Sequence, residues 1–387
     1  KFKIAITGSS KDRAIVQAHD IGLEIFATNK KEMTVKVWVG GGLGRTPILG
    51  SVIKESLSWK HMLTYCEAIL RIYNLYGRRD NMYKARIKIL VKSLGIEKFK
   101  QLVDKEWETI KDGPNTLDEL EINRVKAFFS EPNYKSRGAD ELSKYTDNKQ
   151  FSQWLLRCTH KHKKLGYRSV TLSLKSNEQA PGDATSDQMR SVAELAEQYS
   201  FSEIRVSHEQ NLILADVLED DLFELWEKAK VQKLTTPNIG LLTDIICCPG
   251  GDFCSLANAK SIPIAKSIQD IFDDMDYLHD IGEINLNISG CMNACGHHHV
   301  GHIGILGVDK DGSEWYQVTL GGNQGNFASI GKVIGPSFSE EEMPEVIKKI
   351  IGTYVSNRHP DENFIDCVSR IGIDPFKKEV YGEKGKK

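Results

Sequence analysis

The stretch richest in metal-binding side chains is SGCMNACGHHHVGHIG, at residues 289–304. Cys291 and Cys295 stand four positions apart there, and the histidines that follow them are His297, His298, His299 and His302. Upstream, the segment IICCPGGDFCSLANAKS contributes Cys247, Cys248 and Cys254. Thiolates and imidazoles grouped in this way predict a metal centre.

Two kinds of metal centre fit the spacing. Structural zinc is usually held by two pairs of ligands with two to four residues between them, and the five residues between Cys248 and Cys254 are wide for such a site. A [4Fe–4S] cluster takes four thiolates from split segments, which the pairs Cys248/Cys254 and Cys291/Cys295 supply. Glycines beside both pairs would allow a bulky cofactor to approach the backbone. The pattern favours the cluster and leaves a zinc-stabilised module as an alternative.

The remaining cysteines are interpreted as packing residues. Neighbouring residues in an extended segment point in opposite directions, so Cys247 and Cys248 cannot both face one cluster. Cys66, Cys158 and Cys367 are scattered singly, which is typical of small buried side chains.

Length and composition restrict the class of protein. A chain of 387 residues predicts two or three domains. The net charge of −2 argues against nucleic-acid binding, and no apolar run reaches membrane-spanning length. No signal peptide opens the sequence, so we expect a cytoplasmic protein, in which clustered cysteines more often bind metal than form disulfides.

The elements that must position these cysteines follow from periodicity. TVKVWV predicts a strand with Val35, Val37 and Val39 on one face, followed by the glycine-rich GGGLGR at 40–45. A helix is expected over 59–76, the basic stretch 77–95 is expected to be helical, and 111–150 is interpreted as an excursion or linker.

The middle of the chain shows the clearest pattern. Strands are predicted at 167–174, 202–208, 210–217 and 240–246, with helices at 186–200 and 220–230 and Ser186 as the first helix cap. The order β-α-β-β-α-β is that of a ferredoxin-like unit. Beyond it we expect strands at 283–289, 302–308 and 315–320 and a terminal helix after residue 337.

The two cysteine motifs, C-x5-C and SGC-x3-C, together with LGGNQG at 320–325, resemble the sirohaem- and [4Fe–4S]-containing sulfite and nitrite reductases. KVWVGGGLGRTP and CPGGDFCSLANAKS look most like the bacterial assimilatory sulfite reductase haemoproteins of the beta-component type. The resemblance implies that the cluster ligands are Cys248, Cys254, Cys291 and Cys295, and that Cys295 also bridges the cluster to the sirohaem iron. His302 stands where the family usually has an acidic residue.

The same resemblance assigns residues to the substrate and the haem. It implies that Lys1 and Lys3, in KFK, face the substrate anion. Cations that could bind the sirohaem carboxylates are Arg45, Arg78, Arg79, Lys84, Arg86 and Lys88, although a solvated face is an equal interpretation of the cluster at 78–88. Backbone N–H groups of Gly40–Gly42 are further candidates. The other predicted cofactor-binding residues are Arg205, Gln210, Asn211, Gly321, Gly322 and Asn323.

The resemblance also implies an α+β fold in which a ferredoxin-like half-domain at 151–240 is flanked by two mixed α/β sirohaem/iron–sulfur domains, at 1–150 and 241–387. An earlier repeat would precede KFK in such an enzyme. The implied reaction is the six-electron reduction of sulfite to sulfide, with ferredoxin or a flavoprotein as electron donor. Reduction of nitrite to ammonia and a haem-free iron–sulfur electron carrier are the alternatives.

Overall fold

A computed structural model describes residues 2–28, 32–135 and 147–382. These residues form two compact units, the first comprising 1–131 with 323–330 and the second 132–322 with 331–387. Lys1, which was predicted to face the substrate, lies outside the described residues. The predicted domain boundaries at 150 and 240 stay a prediction.

The first unit is built on a four-stranded sheet of order β1-β2-β3-β4, in which β1 and β2 are parallel and the other pairs antiparallel. Its strands are β1 (Ile4–Thr7), β2 (Ile21–Ala27), β3 (Met33–Val39) and β4 (Ser51–Ser58). Its helices are α1 (Met62–Tyr76), α2 (Ile87–Leu94), α3 (Ile96–Ile110) and α4 (Glu119–Lys126). Val35, Val37 and Val39 are buried in the core between this sheet and its helices, as their alternation predicted.

The basic stretch 77–95 is α-helical only over Ile87–Leu94 and has a single 3-10 turn at Met82–Lys84, so the prediction that it is helical throughout was wrong. Gly77 is extended and ends α1, and Arg86 is also extended immediately before α2. The extended Arg86 lets its guanidinium reach the buried carboxylate of Asp20, with Nε–Oδ1 and Nη2–Oδ2 distances of 2.9 and 3.0 Å. This ion pair fixes a loop where local propensity favoured a helix.

The second unit begins with a four-stranded antiparallel sheet of order β5-β6-β8-β7. Its elements are α5 (Lys149–Cys158), β5 (Thr159–Lys161), β6 (Tyr167–Leu172), α6 (Ser186–Tyr199), β7 (Arg205–Val206), β8 (Leu212–Leu218) and α7 (Leu222–Val231). Buried side chains of the three helices and the sheet form one core. The α+β class and the ferredoxin-like half-domain are confirmed by this arrangement.

Two details of that prediction were wrong. Thr185, and not Ser186, caps α6, because Thr185 and Gln188 exchange side-chain and backbone hydrogen bonds in a capping box. The fourth strand is β5, while most of GLLTDII (240–246) is a turn held by the Asp244 carboxylate, which accepts the Gly240 N–H at 3.0 Å. The order is therefore β-β-α-β-β-α.

The rest of the second unit contains a five-stranded sheet of order β13-β12-β11-β10-β9, with β9, β10 and β11 mutually parallel. Its strands are β9 (Ile246–Cys247), β10 (Leu286–Ser289), β11 (Ile303–Lys310), β12 (Ser313–Leu320) and β13 (Lys332–Val333). The helices are α8 (Ile262–Ile271), α9 (Met275–Ile281), α10 (Met343–Asn357), α11 (Phe364–Ile371) and α12 (Asp374–Tyr381). The predicted terminal helix is α10, and two more follow it. The loops after β9 and β10 carry the grouped cysteines.

Candidate iron–sulfur site

The two cysteine motifs meet where β9 and β10 end. The Cys248 N–H donates to the Ile288 carbonyl at 3.1 Å, and the Gly290 N–H donates to the Cys248 Sγ at 3.1 Å. Gly290 precedes Cys291, so the first motif contacts the second directly. Parallel strands end at the same edge of a sheet, which explains why segments some forty residues apart in sequence converge here.

Glycines make this convergence possible. A Cβ on Gly290 would lie 2.6 Å from the Ala259 carbonyl oxygen and 2.8 Å from the Gly250 Cα. Gly250 has a φ of +58° and no room for a side chain against Ser261. The loops are therefore packed backbone to backbone, as the sequence predicted for a site that holds a bulky group.

The cysteines of the second unit differ in exposure. Cys247 is 4% exposed and packs in the apolar core, where burial raises the pKa of its thiol above the ordinary value. Cys248 and Cys254 are partly exposed, Cys291 is buried and Cys295 is exposed. The interpretation of Cys247 as a packing residue is consistent with this placement, as are the buried positions of Cys66, Cys158 and Cys367.

The donors around Cys248 suit a thiolate. The Cys248 Sγ contacts the Ser261 hydroxyl at 3.5 Å, in addition to accepting the Gly290 N–H. Hydrogen bonds to a ligand sulfur stabilise its negative charge and tune a cluster's potential. Among the described residues, no three His, Cys, Asp or Glu side chains are grouped closely enough to hold one metal ion. The four thiolates of a cubane cluster bind different irons and need not meet at a point.

The side chains of His298, His299 and His302, which follow Cys295, are buried. His298 is fully buried, neither of its ring nitrogens has a hydrogen-bond partner in the described structure, and burial lowers its pKa to about 3. Its ring centroid lies 3.9 Å from that of His299. His302, which replaces the family's usual acidic residue, accepts the Asn285 N–H at its Nδ1 at 3.2 Å. The orphaned His298 nitrogens are the kind of polar group that a bound polar cofactor or water would satisfy.

The side chains of two residues predicted to line the haem, Gln210 and Asn211, form hydrogen bonds with protein groups in the second unit. The Gln210 side-chain amide bonds the backbone of Cys247 at both ends, donating to its carbonyl and accepting its N–H, each at 2.9 Å. Asn211 is 1% exposed, and its amide bonds Leu174 and Asp244. Asp244 in turn pairs with the fully buried Lys175. Both amides support the turn that leads into β9.

The other predicted residues of the second unit lie at its surface or its turns. Arg205 is exposed at the edge of the sheet and pairs with Glu203. The Gly321 N–H donates to the His302 carbonyl at 3.1 Å, so that donor is already used. A Cβ on Gly322 would lie 2.4 Å from the Gly301 carbonyl oxygen.

In the first unit, Lys3 lies at the start of β1. Its N–H donates to the Asp20 carboxylate at 3.0 Å, its side chain is exposed, and its positive charge adds to burial in lowering the pKa of His19. Arg45 is exposed in the glycine loop. Asn323 belongs to this unit, where its backbone pairs with Ser329.

The basic cluster at 78–88 is neither a solvated face throughout nor a set of free cations. Lys88 donates to the carbonyls of Gly42, Leu43 and Thr46 at 3.2, 3.1 and 2.6 Å. The N–H groups of Gly40 and Gly42 donate to the carbonyls of Asp20 and Ile48, so these donors were wrongly expected to be open to a carboxylate. Periodicity could not reveal these contacts, because each joins residues far apart in sequence.

Comparison with known proteins fixes the family. The family model described as the nitrite and sulphite reductase 4Fe-4S domain matches residues 1–111 and 241–387, which is more than half of the chain. This chain belongs to the nitrite and sulphite reductase family. The model of the family's ferredoxin-like half domain matches residues 160–231. Members of the family couple sirohaem to a [4Fe–4S] cluster, and the thiol pairs described above fit the cluster.

Individual relatives include both kinds of reductase. A sulfite reductase [ferredoxin] of Mycolicibacterium paratuberculosis is 24% identical over 388 residues, covering 96% of this chain and 62% of the relative. An assimilatory ferredoxin-dependent nitrite reductase of Haloferax mediterranei is 27% identical over 394 residues, covering 97% of this chain and 61% of the relative. The chain thus spans about three fifths of the length of these relatives.

A solved structure shows the same fold. The NirA protein of Mycobacterium tuberculosis superposes with a TM-score of 0.70 at 21% identity, covering 94% of this chain and 61% of that one. No helix of the described residues is both long and apolar enough to span a membrane.

Proposed function

We propose that this chain carries the [4Fe–4S] ligands of an assimilatory, sirohaem-dependent sulfite reductase that reduces sulfite to sulfide. The observation that carries the proposal is the contact between the Gly290 N–H and the Cys248 Sγ, which joins the two cysteine motifs at one sheet edge. The sulfite reductase among the relatives supports this substrate, and the nitrite reductase supports nitrite as the alternative. Ferredoxin, named in both relatives, or a flavoprotein would be the electron donor.

Each cysteine has a role in this proposal. Cys248, Cys254, Cys291 and Cys295 would hold the cluster, and Cys295, whose side chain is exposed, would be the ligand shared with the sirohaem. The Gly290 N–H and the Ser261 hydroxyl would donate hydrogen bonds to the Cys248 thiolate. These bonds would stabilise the more negative, reduced state of the bound cluster. When bound, the coupled cofactors supply electrons one at a time to a reaction that needs six. The free thiols are consistent with a reducing, cytoplasmic location.

The basic residues have the chemistry that a small oxyanion requires. Lys1 and Lys3 bind the substrate anion in this proposal, and the Lys3 ammonium can hand a proton to a departing oxygen. Arg45 and Arg205 would supply positive charge to the sirohaem carboxylates, and Gly322 and Asn323 would lie beside the haem. The backbone N–H groups of Gly321 and Asn323 are not available as donors, because they already donate to the carbonyls of His302 and Ser329. Gln210 and Asn211 contribute indirectly, because their amides already bind protein groups.

Anaerobic reconstitution with iron and sulfide tests the cluster assignment. We expect the reconstituted chain to be brown. Its cluster iron should be lost in Cys248→Ala and retained in the matched variant Cys247→Ala, because hydrogen-bond donors that would stabilise a thiolate lie beside the Cys248 sulfur, whereas Cys247 packs in the apolar core. Sirohaem added to the reconstituted chain would give a Soret band and bands in the red, whereas a haem-free carrier would not. Equal loss of iron in the two variants, or a colourless chain that binds zinc, would contradict the proposal.

A further inference from the structure

Gly296, the residue that follows Cys295, is held at both its backbone N–H and its backbone carbonyl by side chains of β10. The Asn287 Nδ2 donates to the Gly296 carbonyl at 2.8 Å, and the Ser289 Oγ accepts the Gly296 N–H at 3.1 Å. Asn287 and Ser289 are two positions apart on a strand, so they point to the same face. Both are buried, at 0% and 1% exposure. We call this pair the Gly296 clamp.

The loop is pressed against the strand that carries the clamp. A Cβ on Gly296 would lie 2.0 Å from the Ile288 carbonyl oxygen, so only glycine fits there. The Asn287 Oδ1 has no hydrogen-bond partner in the described structure, although it is buried. The Asn287 side chain therefore holds this loop through its Nδ2–H group, which donates to the Gly296 carbonyl.

The loop needs such support because its backbone is strained. Ala294 and His297 both have a φ of +55°, on either side of Cys295 and Gly296. Residues with a Cβ disfavour this left-handed conformation. The conformation that leaves Cys295 exposed therefore depends on contacts outside the loop itself, and the Gly296 clamp supplies two of them.

We propose that Asn287 and Ser289 are positioning residues for Cys295, and that they fix its thiolate where the cluster binds. The inference rests on the proposed function, in which Cys295 is a cluster ligand. A ligand held in its bound geometry before the cofactor arrives loses less conformational freedom on binding. The clamp acts through the backbone of Gly296, the residue that follows Cys295.

Three substitutions test the clamp. Asn287→Asp keeps the shape but places a carboxylate oxygen against the Gly296 carbonyl, and Ser289→Ala removes the acceptor of the Gly296 N–H. Ser289→Thr keeps a hydroxyl and should restore what Ser289→Ala loses. Matched controls are Asn238→Asp and Ser173→Ala, since Ser173 and Asn238 form a buried hydrogen bond with each other at 2.9 Å in the same unit.

The first measurement needs no cofactor. Hydrogen exchange of the Gly296 amide in the cluster-free chain should become about tenfold or more faster in Asn287→Asp and Ser289→Ala. Ser289→Thr and both control variants should leave it near the wild-type rate. The second measurement is the electron paramagnetic resonance signal and iron retention of the reconstituted chain, which should change in the same two variants and not in the controls.

The measurements distinguish a failure of the Gly296 clamp from a failure of the proposed role of Cys295 as a cluster ligand. Unchanged Gly296 exchange and an unchanged cluster signal in both clamp variants would overturn the inference, whatever Cys295 does. Full iron retention in Cys295→Ser would instead overturn the proposed function, while the exchange data would still report on the clamp. If Asn287→Asp fails to fold, the comparison of Ser289→Ala with Ser289→Thr carries the test alone.

Discussion

Replacing Gln210 should destabilise this chain even when no cofactor is present. The Gln210 amide forms two hydrogen bonds of 2.9 Å with the backbone of Cys247, which is 4% exposed. Removing the amide leaves a buried N–H and a buried carbonyl without these partners, and each such loss costs about 1–3 kcal/mol. For Gln210→Ala we therefore expect the free energy of unfolding to fall by about 2–6 kcal/mol.

Backbone strain at the same residue gives a second, graded comparison. Gln210 has a φ of +59°, which costs a residue with a Cβ about 1–2 kcal/mol and costs glycine little. Gln210→Gly should therefore be about 1 kcal/mol more stable than Gln210→Ala. A control is Gln179→Ala, which removes a single side-chain bond to the Asp183 carbonyl near the surface and should cost about 0.5 kcal/mol or less.

The assay is guanidinium unfolding of the cluster-free chain, followed by circular dichroism. A residue that only lines the haem would leave this measurement unchanged and weaken sirohaem binding instead. If Gln210→Ala unfolds at the wild-type midpoint in the cluster-free chain, the argument that Gln210 holds β9 in place is wrong.

Three further perturbations have defined outcomes. Lys88→Met should destabilise the loop at 42–46, seen as faster hydrogen exchange there, because three carbonyls lose their charged donor, whereas an unchanged exchange rate would contradict this role. The unfolded chain protonates His298 near its ordinary pKa of 6.5 and the folded chain only near a pKa of about 3, so its stabilising contribution is present above pH 6.5 and is lost on acidification. Denaturant titrations between those pH values should show stability changing with pH more steeply, by about 1.4 kcal/mol per pH unit, in the wild type than in His298→Phe; the same slope in both proteins would refute it. In a sirohaem-loaded reductase, Lys3→Met should weaken sulfite binding about tenfold to hundredfold, and wild-type kinetics would make Lys3 merely a solvated residue.

Local patterns predicted the features that depend on neighbouring residues. The spacing of Cys248, Cys254, Cys291 and Cys295 identified the family, and valine alternation identified the buried face of β3. Glycines beside the cysteines predicted a close backbone approach, and Gly250 and Gly290 have it. These predictions needed only the geometry of a strand or a turn.

Features that depend on distant partners could not be predicted. Gln210 was predicted to line the haem, which stays a prediction, but its hydrogen bonds to Cys247, 37 positions later, form only through the tertiary fold and were not predicted. The stretch at 77–86 was expected to be helical, but Arg86 is extended to reach Asp20, 66 positions earlier. GLLTDII has the composition of a strand, but the Asp244 carboxylate holds it in a turn.

The difference in exposure among the cysteines predicts which thiols air would oxidise first. Oxidants reach exposed sulfur first, and thiols buried in apolar surroundings are comparatively inert. Cys295 is exposed, whereas Cys66, Cys158, Cys247 and Cys367 are buried. In the cluster-free chain, sulfenic acid should therefore form at Cys295 before it forms at those four positions. Preparations of this chain would lose the proposed bridging ligand first while the core remained intact, so a sample could stay folded and still fail to accept its cofactors.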